Sequence, residues 1–407
     1  MRWMMLLLIL ISAQVDALEG LENLELRVFQ KNLGYQSEVD LTEGARSQKK
    51  AFNSGFFPTV NAIGGWQRNK TDELSSVETG YVGYLEGRAN IFSGFKDYAL
   101  AQAGNIDLQL AEIDLQLKKN ELRLQLTEVI SDMIYLHQFQ DLLQEELAVT
   151  QSQRKMAGKK VSAGLTGPVD NLELDLRENE IEIELLNQKQ MHAENHQKII
   201  KLLGEDIADE ELDKIRFSSV SSFQKSIQQF NSEKSIEFQR ALLVKRKHEL
   251  EQQQVQSEFY PQLDLTYAVG RLTPSDDSSL AFNENKFGVQ LTIPLFSGFE
   301  TYHRNKSLIF KTAAAEKNKN QVQLYVMTQY QVLKNRINDS ISLIAISDRK
   351  LKNSQKYFDL TLAEYRRGIK NSPDLVGATD RLFSTKKRKL ELHKELELLS
   401  LRLQQIY

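Results

Sequence analysis

Two hydrophobic rhythms divide the chain. Between Phe95 and Gly164, Leu108, Leu115, Leu122, Val129, Leu136 and Leu143 recur at every seventh residue, and Leu110, Leu117 and Leu124 form a second stripe. A sustained seven-residue repeat belongs to helices packed in coiled-coil geometry, and two stripes give one helix neighbours on two sides. The segment contains no proline. As one helix, its roughly 65 residues would extend on the order of 100 Å. A second long helix is expected from Phe299 to Arg367, with partners over about Val169–Leu203 and Pro373–Tyr407. Shorter helical patterns cover about Leu18–Ser54 and Glu233–Ser257.

The other rhythm has period two, as in strands with unlike faces. After Pro58, Val60, Ala62, Gly64 and Trp66 alternate with Thr59, Asn61, Ile63, Gly65 and Gln67. After a polar loop near Thr71 to Gly80, Gly83, Leu85, Gly87, Ala89 and Ile91 alternate with Tyr84, Glu86, Arg88 and Asn90. The signal is stronger downstream. Leu263, Leu265, Tyr267 and Val269 oppose Gln262, Asp264, Thr266 and Ala268; Phe287, Val289, Leu291, Ile293 and Leu295 oppose Gly288, Gln290, Thr292 and Pro294. One face is uncharged and the other polar. A strand between lipid and a watery lumen has this alternation, as does a half-buried soluble sheet. Aromatics bracket both hairpins: Phe56, Phe57, Phe92 and Phe95, then Phe259, Tyr260, Phe296 and Phe299. Such rings favour a membrane–water interface.

The punctuation repeats. Gly164-Leu165-Thr166-Gly167-Pro168-Val169-Asp170 and Gly368-Ile369-Lys370-Asn371-Ser372-Pro373-Asp374 each close one long helix and open another, and 368 − 164 = 204. Glycine past a helix end, then Pro and Asp in the next first turn, marks a helical hairpin. Phe92-Ser93-Gly94-Phe95 returns as Phe296-Ser297-Gly298-Phe299, and Phe56-Phe57-Pro58 as Phe259-Tyr260-Pro261. An ordered series of matching landmarks is a duplication. The expected plan is a signal peptide at 1–17 and a first repeat at 18–204, with β-hairpin 58–92 and tip turn 164–170. An irregular segment at 205–232 precedes a second repeat at 233–407, with β-hairpin 261–296 and tip turn 368–374. All six prolines fit it: Pro58 and Pro261 open strands, Pro294 lies near a strand end, Pro274 in a loop, and Pro168 and Pro373 at the tips.

Arg2, the apolar Met4–Ile11 run and Val15-Asp16-Ala17 give residues 1–17 the form of a signal peptide. No later stretch has the roughly 20 apolar residues of a spanning helix, so a membrane span is expected to be β. The formal charge of −3 gives no reason to expect nucleic acid. The absence of cysteine excludes a lipidated N-terminal cysteine. Four membrane strands leave edges that lipid does not tolerate, so the chain must share a barrel. Two copies would give eight strands with a filled interior, and three would give twelve with room for water; the polar faces favour the larger barrel.

Taken together, Phe57-Pro58 and Tyr260-Pro261 opening the hairpins, Ile91-Phe92-Ser93-Gly94 and Ile293-Pro294-Leu295-Phe296-Ser297-Gly298 closing them, and the two Gly-to-Asp tips make the mature chain resemble the TolC-type outer membrane efflux protein family. The resemblance implies a mainly α fold with a small β part. Duplicated antiparallel coiled-coil hairpins and two β-hairpins would give four strands to a β-barrel shared in a homotrimer, continued by an α-barrel tunnel in the periplasm of a Gram-negative bacterium. It implies a duct with no cofactor and no chemistry of its own, partnered by outer membrane lipid, a periplasmic adaptor and an inner-membrane transporter. Drug efflux and type I secretion of polypeptides both remain open.

By the same resemblance the tunnel narrows at the tips. Asp374 corresponds to an acidic position of the constriction, with Asp170, Tyr365 and Lys370 at positions that tie the coils together in the closed state. Gly377 stands where the family can place a second acid. Gly164, Gly368, Pro168 and Pro373 form the turns, and with Arg366 and Arg367 a surface expected to meet the adaptor. Asp170 and Asp374 also suit helix N-termini electrostatically. Lys159, Lys160 and Lys370 add to the basic tip, while Lys386, Lys387, Arg388 and Lys389 read as a solvated run. His192 and His196 are one turn apart without a third metal ligand, and there is no phosphate loop or nucleophile constellation. The competing reading is a structural or adhesive periplasmic coiled-coil protein whose hairpins pack in a soluble domain.

Overall fold

The computed structural model describes residues 18–19, 21–68, 79–207, 211, 215–217, 220, 223, 230–274 and 282–406. The proposed signal peptide and most of the first hairpin's polar loop lie outside them. The principal helices are α1 (Glu22–Lys31), α2 (Leu33–Asn53), α3 (Lys96–Ser162), α4 (Val169–Leu203), α5 (Ile236–Gln256), α6 (Glu300–Arg366) and α7 (Ser372–Ile406). The strands are β1 (Leu18–Glu19), β2 (Thr59–Arg68), β3 (Thr79–Phe92), β4 (Arg216–Phe217), β5 (Gln262–Pro274) and β6 (Phe282–Thr292). The duplication is exact in length: α3 and α6 each have 67 residues, and α4 and α7 each have 35. Contacts divide the chain into two compact units, to both of which α3 and α6 contribute residues.

One unit comprises Ser37–Gln116 and Ile236–Leu324. Its four strands run antiparallel in the order β2-β3-β5-β6, so the two hairpins join through β3 and β5. Register puts the expected faces together: Val60 pairs with Gly87 and Ala62 with Leu85, Leu85 with Val269 and Gly87 with Tyr267, Tyr267 with Phe287 and Leu265 with Val289. The apolar positions thus lie together on one face, on which Val60, Leu85, Tyr267, Phe287, Val289 and Leu291 are exposed, and its charges, Arg68 and Arg271, stand at the loop end of the strands. A shift between Asn90 and Phe92 sets Phe92, instead of Ile91, opposite Leu263. Such a bulge changes which side chain meets the partner strand. Gly270 is required where β5 passes β3, because a Cβ there would lie 2.2 Å from Tyr84 Cβ. Pro274 closes β5 opposite Gly80, where a loop was expected. As the last strand residue it gives up little of the ladder.

In the helices of this unit, Arg240 pairs with Asp114 and Lys247 with Asp107, both at 2.7 Å, and Lys245 with Glu316 at 2.8 Å. Hydrogen bonds from Lys245 and then Lys319 hold the Glu316 carboxyl down to about 2.

The other unit comprises Met1–Gln36, Leu117–Ser235 and Tyr325–Tyr407. The first heptad stripe becomes core here: Leu122, Val129, Leu136 and Leu143 are all buried. Leu24 and Val28 of α1 pack with Leu126, Ile130 and Met133 of α3 and Ile199 and Leu203 of α4. The expected single N-terminal helix breaks at Asn32. Its side-chain oxygen accepts from Tyr35 N–H at 3.1 Å, while its amide donates to the Leu202 carbonyl at 3.1 Å. An Asn offering both groups favours such a cap over the helix interior. Within 205–232, β4 pairs with β1, tying the start of the described chain to this segment. The second cluster joins Phe139 and Leu143 of α3, Ile181 of α4, Phe358 and Tyr365 of α6, and Leu375 and Phe383 of α7.

Candidate functional site

Both tips are built by the same backbone device. Gly164 has φ 70° and Gly368 φ 80°. At the first, Leu165 N–H donates to the Lys160 carbonyl at 2.8 Å and Gly164 N–H to that of Val161 at 2.9 Å. At the second, Ile369 N–H donates to Glu364 and Gly368 N–H to Tyr365, both at 3.0 Å. This pair of bonds is the Schellman arrangement, which satisfies the last carbonyls of a helix and needs a left-handed residue. Pro168 then stands at the N-cap of α4 and Pro373 is the second residue of α7.

The site residues expected from the sequence have different surroundings. Lys370 Nζ lies 3.8 Å from Asp374 Oδ2, both side chains being partly exposed. The Asp374 N–H donates to Asn371 Oδ1 at 3.1 Å. Asn371 is therefore the cap of α7, a role not assigned from sequence although Asn-Ser-Pro-Asp holds the signal. Asp170 is half-buried in the first turn of α4, and Arg366 and Arg367 are exposed. Tyr365 is fully buried, its hydroxyl 3.4 Å from Ser372 Oγ. The Lys160 ammonium donates to the Tyr365 carbonyl and sits 3.7 Å from its ring centroid. Lys160 thus links the ends of α3 and α6, where sequence alone offered only a basic surface. A cation over a tyrosine face adds about 0.5–2 kcal/mol, depending on desolvation.

The helices above the tips carry charges that periodicity had not exposed. Arg177 of α4 donates to buried Glu146 of α3, and lies 2.9 Å from both Glu180 and Asp380 of α7. Burial pushes the Glu146 carboxyl upward against the pull of Arg177, and burial raises Asp380 in the same way. These groups border a cavity of about 710 Å³ with Phe139, Phe383 and Gly377. The run expected to be a solvated face is instead paired. Lys386 reaches Glu145 at 2.7 Å, Lys387 reaches Glu184 at 3.7 Å, Arg388 reaches Glu391 at 3.0 Å and Lys389 reaches Asp348 at 2.6 Å. The His192 and His196 rings are 4.7 Å apart, and His196 Nδ1 lies 2.7 Å from Asp206. No helix among the described residues is long and apolar enough to cross a membrane.

Comparison with known proteins agrees with this architecture. Residues 235–407 match the family Outer membrane efflux protein. The outer membrane protein VceC of Vibrio cholerae superposes with a TM-score of 0.81 at 14% identity, covering 95% of this chain and 96% of its own. CusC, whose structures concern transmembrane channel formation, gives 0.80 at 13%, with 94% and 91% covered. The open-state outer membrane channel MtrE of Neisseria gonorrhoeae gives 0.77 at 14%, with 96% and 89% covered. A search of curated proteins finds no match. At these identities the likeness to solved structures is one of fold. The mainly helical class with its small antiparallel sheet, and the resemblance read from the motifs, are borne out.

Proposed function

We propose that this TolC-type outer membrane efflux protein is one subunit of a homotrimeric outer membrane channel-tunnel, which exports small molecules or polypeptides and performs no chemistry itself. The observation that carries the reading is the sheet: β2 and β6 stand at its edges, and one face gathers the apolar positions, exposed at Val60, Leu85, Tyr267, Phe287, Val289 and Leu291 and charged only toward the loop end, at Arg68 and Arg271. In lipid every backbone polar group needs a protein partner, so such edges call for further strands, and an apolar exposed face suits contact with hydrocarbon. Three chains would supply twelve strands around a lumen lined by polar positions such as Glu86, Arg88 and Asp264. The helices would continue as a periplasmic tunnel whose tips meet an adaptor bound to an inner-membrane transporter. On this reading 18–204 and 233–407 are the repeats flanking an equatorial segment, and residues 1–17 direct export.

At the tips, three copies of Asp374 around the axis would favour cations, with Asp170, Tyr365 and Lys370 holding the closed state and Arg366 and Arg367 facing the adaptor. Gly377 removes a second acidic ring and weakens that selectivity. The test is conductance in a planar bilayer. The expected result is discrete, cation-preferring pores whose preference declines in Asp374→Ala. Unchanged selectivity would remove Asp374 from the filter but keep the duct. A protein soluble without detergent that forms no pores would refute the duct in favour of a periplasmic coiled coil.

A further inference from the structure

The apolar face of the sheet has a hollow near its loop end. Gly64 of β2 pairs with Gly83 of β3, so two adjacent positions of this face carry no side chain. A cavity of about 770 Å³ opens there, with Ala62, Leu85 and Val269 among its walls. Neither glycine is needed for the fold by crowding or conformation: a Cβ at either would meet nothing within 4 Å, and neither has a positive φ. Glycine inside a strand weakens it and marks a place that another group approaches closely. Here the sheet itself supplies no such group, so the space faces outward.

The hollow has one charged border. Arg271 of β5 stands opposite Gly83 and is exposed, and exposed Asn285 of β6 lines the same space. No ion pair or hydrogen bond joins the Arg271 guanidinium to another described residue. The acidic positions flanking it, Glu86 of β3 and Glu284 of β6, belong to the opposite face. One row nearer the loops, Trp66 and Tyr81 pair across β2 and β3 and are 57% and 64% exposed. Gly83 lies 92 − 83 = 9 residues from Phe92. Nine residues extend roughly 30 Å along a strand, and the usual barrel tilt reduces this to about 23 Å of height. The apolar band of a spanning barrel is about 25 Å tall between aromatic girdles, so Arg271 stands at its rim, at headgroup level.

We infer that this hollow is a binding site for one anionic, phosphate-bearing lipid, whose phosphate takes the Arg271 guanidinium and the Asn285 amide while an acyl chain lies over the Gly64–Gly83 pair. Both polar groups can donate, and a guanidinium presents a planar fork that matches two phosphate oxygens and keeps its charge at any working pH. The occupant is a lipid and not a free anion because the other walls are apolar. Below Arg271 the exposed face continues as Leu85 and Val269, then Tyr267 and Phe287, which offers a path for hydrocarbon. A long cationic side chain at such a rim keeps its head in the polar layer while its stem covers apolar surface. The bare glycine pair leaves room for the chain to lie against backbone. The inference rests on the proposed membrane barrel and adds a specific lipid to its outer surface.

Trp66 reports on the site. The chain has two tryptophans, Trp3 and Trp66, so Trp3→Phe leaves only the one at the rim. The protein is folded into phosphatidylcholine vesicles holding a small fraction of phosphatidic acid brominated on its acyl chain, and bromine quenching of Trp66 is compared with that by brominated phosphatidylcholine. Phosphatidic acid should be about fivefold enriched at the tryptophan, the factor expected of one arginine at an anionic lipid surface. Arg271→Gln should bring the two lipids to parity, and Arg271→Lys should retain part of the excess. Gly83→Leu, for which there is room, should lower the excess with the charge intact. Quenching by brominated phosphatidylcholine shows that each variant has inserted. Inorganic phosphate should leave the excess unchanged, and relief by it would overturn a lipid as the occupant. Equal quenching in the wild type, or an excess that survives Arg271→Gln, from protein that inserts and conducts would overturn the site while leaving the duct. A protein that stays aqueous and is quenched by neither lipid would overturn both.

Discussion

At the scale of single residues, the buried charge of Glu146 depends on Arg177. The carboxylate is 4% exposed and sits among Phe139, Leu143 and Ile181. Removing the guanidinium strands a charge in an apolar setting, which costs about 3–5 kcal/mol. Arg177→Met is therefore expected to lower the unfolding free energy by that order, whereas Glu146→Gln, which keeps a hydrogen-bond acceptor for Arg177, should cost less. The pH dependence has a definite sign. Burial raises the Glu146 pKa in the folded chain above its ordinary value. The folded state consequently holds the proton more tightly, and this group's contribution to stability rises as pH falls through the raised pKa. Arg177→Met removes the opposing pull and should steepen that rise. Denaturant unfolding of the detergent-solubilised protein between neutral and mildly acidic pH would read both effects; a flat difference between variant and wild type would refute the assignment.

At the scale of elements, the tip turns depend on a left-handed glycine after each long helix. Gly368→Ala retains the chain path but places a Cβ at φ 80°, costing about 1–2 kcal/mol. Amide exchange in the last turn of α6 should accelerate, with the remote sheet unaffected; unchanged exchange would show that the turn does not need this conformation. These turns were legible in the sequence because glycine, proline and aspartate each state a backbone requirement. The long helices were legible for a similar reason: a seven-residue rhythm without proline has few other solutions, and α4 was expected to its observed ends. Contacts between distant segments were not legible. The β1–β4 pair joins two-residue strands too short to alternate. The Asn90–Phe92 bulge shifts register without interrupting hydrophobicity. The Lys160–Tyr365 contact joins residues 205 positions apart, and the Lys386–Lys389 run looked like solvent surface because three of its four partners lie on other helices. Tyr365 shows the limit at the site itself: family likeness named the position, but only packing disclosed that its ring is buried beneath Lys160.

For the whole molecule, the decisive question is the environment of the apolar sheet face, because a soluble sheet and a membrane barrel share the same alternation. Neighbouring positions on β6 separate them. Val289 is exposed on the apolar face opposite Leu265, and Gln290 lies on the polar face opposite Asp264. If the apolar face meets lipid, Val289→Lys places an ammonium in hydrocarbon at a cost of about 2–4 kcal/mol near the bilayer midplane, falling toward its edges. Gln290→Lys places the same charge on the lumenal side beside Asp264, where water and a carboxylate receive it at little cost. The expected outcome is a large loss of folded, membrane-inserted protein for Val289→Lys and near wild-type insertion for Gln290→Lys, measured by folding into vesicles and heat-resistant migration on a gel. A sheet packed in a soluble domain would give another pattern: both proteins would remain in the aqueous fraction, with stability loss set by contacts with that domain. Equal insertion of the two variants would refute a lipid-facing role for this face. The comparison is informative because the introduced lysine and the strand are the same in both variants, and the two positions differ by one residue and by face.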